Sequence, residues 1–460
     1  MKEEDMPKVS VIMPCLNMVK YISQCLDTVI CQTLTDIEIL LVDAGSTDGT
    51  IGILQEYAKK DSRIHILHSD KKSYGYQMNL GISSAKGEYI GIVETDDMIQ
   101  LDMFEVLYKK AIDTAADYVK GTSKGFYLWT DGREWHFPII PCKDLQTKSE
   151  DITSPKDTPS LFLYDNFLWN GIYHRELLQK IRFNETPGAA FQDIGVLFQT
   201  ISTASKGLYL NHLVYHYRQD NMDASSYNKK SLFYTEVEYQ HTEQFLQGLS
   251  VEWKKVYYLK MAGLTRDRFY VMAGSGEFWE ESYESIEELR KRLQYAVEQK
   301  FICAEDCNVW QEELWQDLCM FLESPELLYQ NFRKKYEDKL NGLKKLFQII
   351  KGQSKVYLFG ATKQAQFLHV VLAQWGMKNI AGYCDNNREL QGKEIQGKKI
   401  CSPEKAVDEN QQTYYVVTSM RHWNEMKNQL LQLGVKGELI GVYNPEIELR
   451  LLRERIVPCD

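Results

Sequence analysis

The sequence predicts an α/β protein in which two open, mostly parallel sheets are joined by a helical segment. Over the first ~120 residues, short apolar runs rich in β-branched side chains recur roughly every 27 residues, with a helical pattern between them, which is typical of β-α-β units. The residues from about 230 to 350 show helical spacing with almost no proline. A second alternation of strands and helices begins at Lys355.

Each element of the first region follows from its own pattern of apolar residues. The predicted strands cover residues 8–14, 37–43, 63–67 and 88–93, and the predicted helices cover residues 21–33, 50–60, 74–85 and 102–115. Asp102 and Glu105 resemble a capping box at the start of the last of these helices. The polar residues 143–159 have no periodicity and therefore predict an exposed loop.

The length and the charge of the chain limit what it can be. A chain of 460 residues can hold two or three domains, and the patterns divide it into residues 1–228, 229–350 and 351–460. The net charge of −10 argues against a nucleic-acid binder, because phosphate contacts favour a basic face.

The cysteines and the absence of long apolar runs predict where the protein works. Ten cysteines follow an N-terminus that lacks the pattern of a signal peptide, so we expect reduced thiols and a cytoplasmic protein. Cys303 and Cys307 have no second pair at zinc-like spacing. No run approaches the roughly 18 apolar residues of a membrane-spanning helix. The protein could still rest on the inner face of the membrane.

A cluster of acids follows the fourth predicted strand, in the stretch VETDDM at residues 93–98. Ligands of open α/β sheets collect at the carboxyl ends of strands. Of the two adjacent carboxylates, Asp96 and Asp97, one can bind Mn²⁺ or Mg²⁺ while the other accepts from a hydroxyl, and a substrate diphosphate would complete the shell of the cation. The alternative is that these acids cap the next helix, although Asp102 already stands at that position.

A second acid, Asp43, leaves another buried strand in the stretch VDAGSTDGT at residues 42–50. A carboxylate at this position can accept from a nucleobase imide or from a ribose hydroxyl. A β-α turn with Asp48 or Thr50 as the helix cap explains the residues from Ser46 onwards. It does not explain Asp43.

Five segments in order resemble the family 2 glycosyltransferases of the GT-A fold. They extend over roughly residues 7–220, and they are VSVIMPCLN, YISQCLDTVICQTL, VDAGSTDGT, GISSAKGEYIGIVETDD and FQD. The resemblance implies a nucleotide-diphospho-sugar donor, a divalent metal ion (Mn²⁺ or Mg²⁺) and transfer with inversion. By position it also implies roles for five donor-site residues: Pro14, Asn17 and Asp43 would line the nucleoside pocket, Asp96 would bind the ribose, and Asp97 would bind the metal ion.

Three positions depart from the pattern of that family. Glu94 stands where the family often has the first acid of an Asp-x-Asp-Asp string, and this change keeps the charge. Ala44 stands where many relatives carry a second Asp, which leaves the recognition of the base open. Gln192 stands where relatives often have Glu, so the next residue, Asp193, would act without a second carboxylate.

Inversion requires a base that deprotonates the acceptor hydroxyl. The resemblance assigns this role to Asp193, at the head of an amphipathic helix after the sequence NETPG. The alternative is that Asp193 is an ordinary N-cap. His174 is a rival base, but its neighbours favour a surface residue at the start of a helix.

Three further residues lie in segments that resemble part of the same family. Trp169 and Asn170, in the sequence WNGIYHRE, could stack on and hydrogen-bond an acceptor sugar. Arg218, in the segment 215–226, could bind the leaving diphosphate in a bidentate manner. All three could equally be structural.

The C-terminal region predicts a Rossmann-like domain with a broken dinucleotide fingerprint. In YLFGATKQAQ only Gly360 of the three expected glycines is present, because Thr362 and Ala365 replace the later two. Asp385 ends the second strand, where a ribose-binding acid belongs. We favour a structural, acceptor-related or interaction role for this domain over cofactor binding.

The leading hypothesis is a metal-dependent inverting glycosyltransferase that uses a UDP-sugar donor and a glycan or lipid-linked acceptor in cell-surface polysaccharide or glycoconjugate synthesis. One alternative is a glycosyltransferase-like scaffold without turnover. Another is a nucleotide-binding or oxidoreductase role for the C-terminal domain. The sequence leaves open the sugar, the base, the acceptor, the linkage and the oligomeric state.

Overall fold

A computed structural model describes residues 6–128, 134–139, 152–221, 229–374, 376–407, 412–419 and 422–443. Its contacts divide the chain into two compact units, residues 1–329 and 330–460. The first part of the predicted helical segment therefore belongs to the first unit. The boundaries at 228 and 350 stay a prediction about separate domains. Residues 143–151 of the predicted loop and residues 222–226 of the segment that follows Arg218 lie outside the described residues.

The first unit is built on a sheet of ten strands. The strands are β1 (Val9–Cys15), β2 (Ile37–Asp43), β3 (Ile64–His68), β4 (Tyr89–Ile92), β5 (Met98–Ile99), β6 (Tyr118–Leu128), β7 (Glu134–Ile139), β8 (Ile152–Thr153), β9 (Gly171–His174) and β10 (Gly207–Arg218). Their order is β3-β2-β1-β4-β9-β6-β10-β5, with β7 beside β6 and β8 beside β10. β1 to β4 are parallel, whereas β9 runs antiparallel to β4 and β6.

The helices of this sheet region confirm the predicted alternation. They are α1 (Ile22–Ile30), α2 (Thr50–Lys60), α3 (Tyr74–Ser84), α4 (Met103–Thr114), α5 (Leu161–Tyr164), α6 (Arg175–Leu178) and α7 (Gln192–Thr203). The capping box at α4 is wrong, because the Asp102 side chain makes no cap hydrogen bond. Asp102 instead binds the His212 ring at 2.9 Å, and Glu105 accepts from the Thr33 hydroxyl at 2.6 Å.

The helical segment is confirmed over its described residues. It contains α8 (Ser231–Glu243), α9 (Val251–Ser275), α10 (Tyr283–Glu298), α11 (Ala304–Trp310), α12 (Leu314–Glu323) and the long α13 (Pro325–Lys351). Aromatic rings pack edge to face between helices, Tyr239 of α8 on Tyr257 of α9 and Phe198 of α7 on Trp253 of α9. Among the described residues, no helix is long and apolar enough to span a membrane.

The second unit is a smaller α/β sheet. Its strands are β11 (Lys355–Phe359), β12 (Ile380–Cys384), β13 (Glu394–Ile395), β14 (Lys398–Cys401), β15 (Thr413–Val417) and β16 (Ile440–Val442), and its further helices are α14 (Lys363–Gln374), α15 (Pro403–Ala406) and α16 (Trp423–Gln432). The order is β13-β14-β12-β11-β15-β16, and all pairs except β13·β14 are parallel. Short 3₁₀ turns complete the two units at Pro155–Asp157, Gln244–Leu246, Glu280–Ser282 and Gly437–Leu439.

The chain that enters α7 is fixed against the start of α3. Ser73 and Gly188 form an isolated parallel bridge, in which the Tyr74 N–H donates to the Gly188 carbonyl at 2.9 Å. A Cβ atom on Gly75 would lie 1.9 Å from the Asn184 carbonyl oxygen, so only glycine permits this approach. The predicted base, Asp193, is thereby held by a close backbone contact.

The start of α7 also packs on a buried carboxyl group of α8. Glu238 is 2% exposed, and its Oε1 accepts from the Gly195 N–H at 3.1 Å. Burial raises the pKa of Glu238 to about 8; the charge of Asp193 adds to the rise, while hydrogen bonds from Asn184 and Gly195 oppose it. Glu238 therefore carries a proton in the folded protein at neutral pH.

We predict that Gly75→Ala destabilises the protein by roughly 1–3 kcal/mol, the usual range for overpacking, because the new methyl group meets the Asn184 carbonyl. The matched control is Gly52→Ala in α2, where a Cβ atom meets nothing within 4 Å. This control should stabilise by about 0.5–1 kcal/mol through helix propensity. Thermal melts of the three proteins check the prediction, and equal shifts for the two variants would contradict it.

We predict that Glu238→Gln raises the melting temperature at pH 8.5 but not at pH 5. Between the ordinary pKa of 4.5 and the folded value of about 8, the folded state holds a proton that the unfolded state releases. The free energy of unfolding therefore falls as the pH rises through this window. The side-chain oxygen of glutamine can still accept from the Gly195 N–H, but glutamine does not titrate, so its contribution to stability does not change with pH.

Calorimetry at the two pH values tests this prediction. The difference at pH 8.5 should be about 2 °C or more, since 1 kcal/mol corresponds to roughly 2–4 °C in domains of 150–250 residues. Glu284→Gln, at an exposed position of α10, is the control and should change little. A variant that gains as much at pH 5 as at pH 8.5 would show that Glu238 is not protonated by folding.

Candidate active site

The predicted donor-site residues meet at one edge of the first sheet. The strands β2, β1 and β4 are neighbours and parallel, so their carboxyl ends carry Asp43, Pro14 and the acid loop (residues 94–97) side by side. The Thr95 hydroxyl donates to the Pro14 carbonyl at 3.0 Å. The side-chain amide of Gln77 joins β1 to β2 by donating to the carbonyls of Cys15 (3.0 Å) and Val42 (2.6 Å).

Asp43 and Asn17 order the turns that follow β2 and β1. The Asp43 carboxylate is 3% exposed and accepts from the Gly45 N–H at 3.0 Å and the Ser46 N–H at 3.1 Å. Asn17 has a left-handed backbone (φ 57°), and its Oδ1 accepts from the Thr47 N–H at 2.9 Å. These bonds pre-form the pocket edge. The nucleoside contacts of both residues stay predictions.

Asp97 is fully buried and holds the end of β10. Its Oδ2 accepts from the Tyr215 hydroxyl at 2.9 Å, and its Oδ1 accepts from the Arg218 N–H at 2.6 Å. Burial raises the pKa of Asp97 well above its usual range, and these two donors oppose the rise. Each Asp97 oxygen thus accepts one protein donor and keeps one further lone pair, so its full burial is the main obstacle to a cation at Asp97.

Asp96 is the more accessible acid of the pair. It is partly exposed, and its Oδ2 accepts from the Asn221 amide at 2.8 Å. The carboxylate also accepts from its own backbone N–H. Burial raises the pKa of Asp96, and the bond from Asn221 opposes the rise. Since the described residues contain no cluster of three or more potential metal ligands, a cation here would depend on a substrate to complete its shell.

Arg218 is bound within the protein. The guanidinium is 3% exposed, and it donates to the Asp96 carbonyl at 2.6 Å and the Gln24 side chain at 2.5 Å. It lies between the rings of Tyr21 (4.9 Å) and Phe126 (4.6 Å). These contacts favour the structural alternative, and contact with a leaving diphosphate stays a prediction.

Asp193 lies in the electrostatic neighbourhood of the acid loop. Burial raises the pKa of Glu94 to about 7, and the charges of Asp96 and Asp193 add to the rise. The Tyr74 hydroxyl donates to Glu94 at 2.7 Å and also interacts electrostatically with Asp193. The Tyr74 backbone N–H also donates to the Gly188 carbonyl ahead of α7, so Tyr74 links the acid loop to the segment that leads to the predicted base.

The environment of Asp193 differs from that of Glu94. Asp193 occupies the first turn of α7, and the cap position belongs to Phe191, which has a left-handed backbone (φ 65°). The N-cap alternative is therefore wrong. Burial raises the pKa of Asp193 to about 6, and the nearby ammonium groups of Lys260 and Lys120 limit the rise. At neutral pH this carboxylate is ionised and can accept a proton.

The sites predicted for the acceptor are only partly open. Trp169 is 7% exposed and stacks between Tyr215 (4.1 Å) and Phe167 (4.5 Å), so its ring faces are covered. The Asn170 amide donates to the Gly121 carbonyl at 2.9 Å, while its buried Oδ1 has no partner. His174 lies at the end of β9, and its ring packs edge to face on Tyr89.

Several site residues were missed because their signals are long-range. Tyr74, Tyr215 and Lys260 act on acids that are 20, 118 and 67 positions away along the chain. The one local signal is Lys260 within the otherwise uncharged stretch VYYLKMAG at residues 256–263 of α9. A periodicity analysis alone reads such a helix as core.

In the second unit, Asp385 follows β12 as predicted, but its carboxylate is engaged. Its oxygens accept from the Ala361 N–H at 2.7 Å and the Asn387 N–H at 2.8 Å. The Thr362 hydroxyl accepts from the Ala365 N–H at 3.2 Å at the start of α14. These bonds occupy the group that a ribose would need, so they give no support to dinucleotide binding.

Comparison with known proteins gives two domain matches. Residues 10–178 match the profile of "Glycosyl transferase family 2", and residues 352–440 match the profile of "C2185-like, N-terminal". The first match contains β1, β2 and β4 and the acid loop at their ends. It ends before Asp193.

The chain is also similar to individual proteins. It is 31% identical over 219 residues to the glycosyltransferase GlyG of Streptococcus pneumoniae serotype 4, an alignment that covers 46% of this chain and 70% of GlyG. It is 30% identical over 212 residues to the cholesterol galactosyltransferase of Borreliella burgdorferi, covering 45% of this chain and 59% of that enzyme. The second relative is thus matched over little more than half its length.

A solved structure shares the fold of the first unit. The crystal structure of S. aureus TarS 1-349 in complex with UDP-GlcNAc has a TM-score of 0.53 at 18% identity, and the match covers 73% of this chain and 92% of that one. At this identity the likeness supports the fold, a GT-A-like sheet followed by helices. Together with the match to GlyG over more than two thirds of its length, these findings show that the chain belongs to glycosyl transferase family 2.

Proposed function

We propose that the protein transfers a sugar from a nucleotide-diphospho-sugar, with UDP as the nucleotide, to an acceptor hydroxyl with inversion of the anomeric carbon. The observation that carries this proposal is the acid loop at the carboxyl edge of the sheet, which Tyr74 links to the segment entering α7, the helix of Asp193. TarS, whose structure contains UDP-GlcNAc, and the family membership support a nucleotide-sugar donor.

The chemistry at Asp193 is a single displacement. The acceptor oxygen attacks the anomeric carbon as its proton passes to the Asp193 carboxylate, and the bond from that carbon to the diphosphate oxygen breaks. The leaving diphosphate takes the electron pair. A carboxylate with a pKa of about 6 is ionised at neutral pH. Because this pKa lies close to neutral pH, the carboxylate can also take up the proton readily.

A divalent ion, Mn²⁺ or Mg²⁺, fits the acid loop through Asp96. The partly exposed carboxylate of Asp96 is a hard oxygen ligand, and the ion would neutralise charge on the leaving diphosphate. The resemblance assigned the metal to Asp97 and the ribose to Asp96. The hydrogen bonds on Asp97 favour Asp96 as the metal ligand.

The setting of the reaction is proposed from the relatives. We propose a role in cell-surface polysaccharide or glycoconjugate synthesis at the cytoplasmic side of the membrane, with a glycan or lipid-linked acceptor. One relative is a cholesterol galactosyltransferase, so a lipid acceptor is among the candidates. A scaffold without turnover is the alternative, and the Asp193 variant below separates the two.

We predict that Asp193→Asn lowers kcat by about 10²–10⁴-fold, the usual contribution of a general base, while donor affinity changes by less than about twofold. In the unmodified protein, kcat/KM should fall as the pH drops below about 6, because the protonated carboxyl cannot accept a proton. Transfer from a UDP-sugar is measured from pH 5 to pH 8. The control is Asp113→Asn at an exposed position of α4.

Full activity in Asp193→Asn would show that another group is the base. If neither the unmodified protein nor the control turns over any nucleotide sugar, the scaffold alternative holds instead.

We predict that Asp96→Asn and Asp97→Asn fail in different ways. Asp96→Asn should abolish the rise in melting temperature that a UDP-sugar causes with Mn²⁺, because bound ligand stabilises the folded state by mass action, yet it should melt normally without ligand. Asp97→Asn should melt lower even without ligand, since an amide can accept with only one of the two atoms that face Tyr215 and Arg218. Thermal-shift assays with and without Mn²⁺ check both outcomes, and the reverse pattern would return the metal to Asp97.

A further inference from the structure

A cavity of about 550 Å³ opens beside Asp193 within the first unit. This volume is typical of a small-molecule site. Its walls come from the segment that follows α5, from the first turns of α7, from the middle of α9 and from the end of α11. The helical segment thus contributes half of a cavity that contains the proposed base.

One wall of the cavity is fixed by two buried lysines. Lys120 binds both carboxylate oxygens of Asp165, at 2.5 and 2.6 Å, and also donates to the Phe167 carbonyl. Lys260 is 6% exposed and donates to the carbonyls of Phe162 (2.6 Å) and Asp165 (2.7 Å). Two buried ammonium groups are costly, and here they fix the backbone of residues 162–167, which carries Asn166 and Phe167 into the cavity.

The same wall is continuous with the acid loop. The Phe167 ring stacks on Trp169, and Trp169 stacks on Tyr215. Tyr215 in turn donates to Asp97. A ligand that touches Phe167 therefore rests on the aromatic stack that holds the proposed donor site, with Asp193 beside it.

The chemistry of the lining matches an uncharged saccharide. Aromatic rings offer flat apolar faces, and the side chains of Asn166 and Gln311 offer both donors and acceptors for hydroxyl groups. The two carboxylates in the lining equal its two cations in number, so a phosphate would gain no net attraction. The rings are Phe167, Phe191 and Trp310, the carboxylates are Asp193 and Asp267, and the cations are Lys260 and Arg268.

We propose that this cavity binds the acceptor as an uncharged saccharide, and that Trp310 of the helical segment selects it. The inference rests on the proposed function, since it gives Asp193 the acceptor hydroxyl. Trp310 covers the floor of the cavity at Gly263, where an added Cβ atom would lie 2.5 Å from the indole ring. Ring position and cavity shape are therefore coupled.

Binding of small probes to the full-length chain tests the proposal. Saturation-transfer NMR is recorded with methyl β-glucoside, methyl β-galactoside and their N-acetylamino analogues, with glycerol 3-phosphate and with 1-octanol. We expect at least one glycoside to bind, and Trp310→Leu to weaken it about tenfold or more, which equals about 1.4 kcal/mol. Trp315→Leu, a partly buried Trp of α12 outside the lining, should leave binding unchanged.

Gly263→Ala is the second variant. Alanine favours the helix while it displaces the indole ring, so the protein should fold and bind the glycoside about tenfold more weakly. Glycoside affinity that survives both Trp310→Leu and Gly263→Ala would overturn the proposal. So would the absence of binding by every glycoside, or preference for glycerol 3-phosphate or 1-octanol.

Donor binding separates this inference from the proposed function. Both cavity variants should keep the rise in melting temperature that a UDP-sugar causes with Mn²⁺. If the unmodified chain binds no nucleotide sugar, the proposed function fails. If it binds the donor but its glycoside binding is independent of Trp310, only the acceptor assignment fails.

Discussion

The buried carboxylate of Asp97 is the constraint on which the site depends. It accepts one hydrogen bond from a side chain and one from the backbone at the end of β10, and so it joins two parts of the chain that lie about 120 residues apart. A carboxylate without such partners would be too costly to bury. Because these bonds fix Asp97, they also hold the loop that carries its partly exposed neighbour Asp96. The backbone of β10 is therefore as much a part of the donor site as the acid loop.

The same principle governs the wall of the cavity, with the opposite sign of charge. Lys120 comes from β6 and Lys260 from α9, and both end on the short segment at residues 162–167. Neither ammonium group would be stable in an apolar interior alone, and burial lowers the pKa of Lys260 to about 8. Their donors are used on backbone carbonyls of this segment and, for Lys120, also on the Asp165 carboxylate. The two buried ammonium groups thus hold this loop in one conformation, which apolar contacts alone could not do.

The fold was largely predictable because its signals are local. The apolar patterns that predict the strands and helices of residues 9–114 can each be recognised within about a dozen residues. The same holds for the helical pattern of α9. The position of Asp43 and the acid loop at one edge could be predicted because parallel strands place their carboxyl ends at the same edge of a sheet. The capping box failed for another reason: Asp102 looks like a helix cap in sequence, yet a distant histidine on β10 binds its side chain. The rings packed on Trp169 likewise come from distant parts of the chain, and they favour its structural alternative.

The difference in pKa between two carboxyl groups explains why Asp193, and not Glu94, suits the role of base. Both are raised in pKa by burial, and the charge of Asp193 adds to the rise at Glu94. Asp193 has two ammonium groups nearby that favour its ionised form, whereas the Tyr74 hydroxyl is the one side-chain donor to Glu94 among the described residues. When two like charges share a low-dielectric site, the proton resides on the group with less compensation. Glu94 therefore holds a proton more readily, and Asp193 remains the carboxylate that can accept one from an incoming hydroxyl.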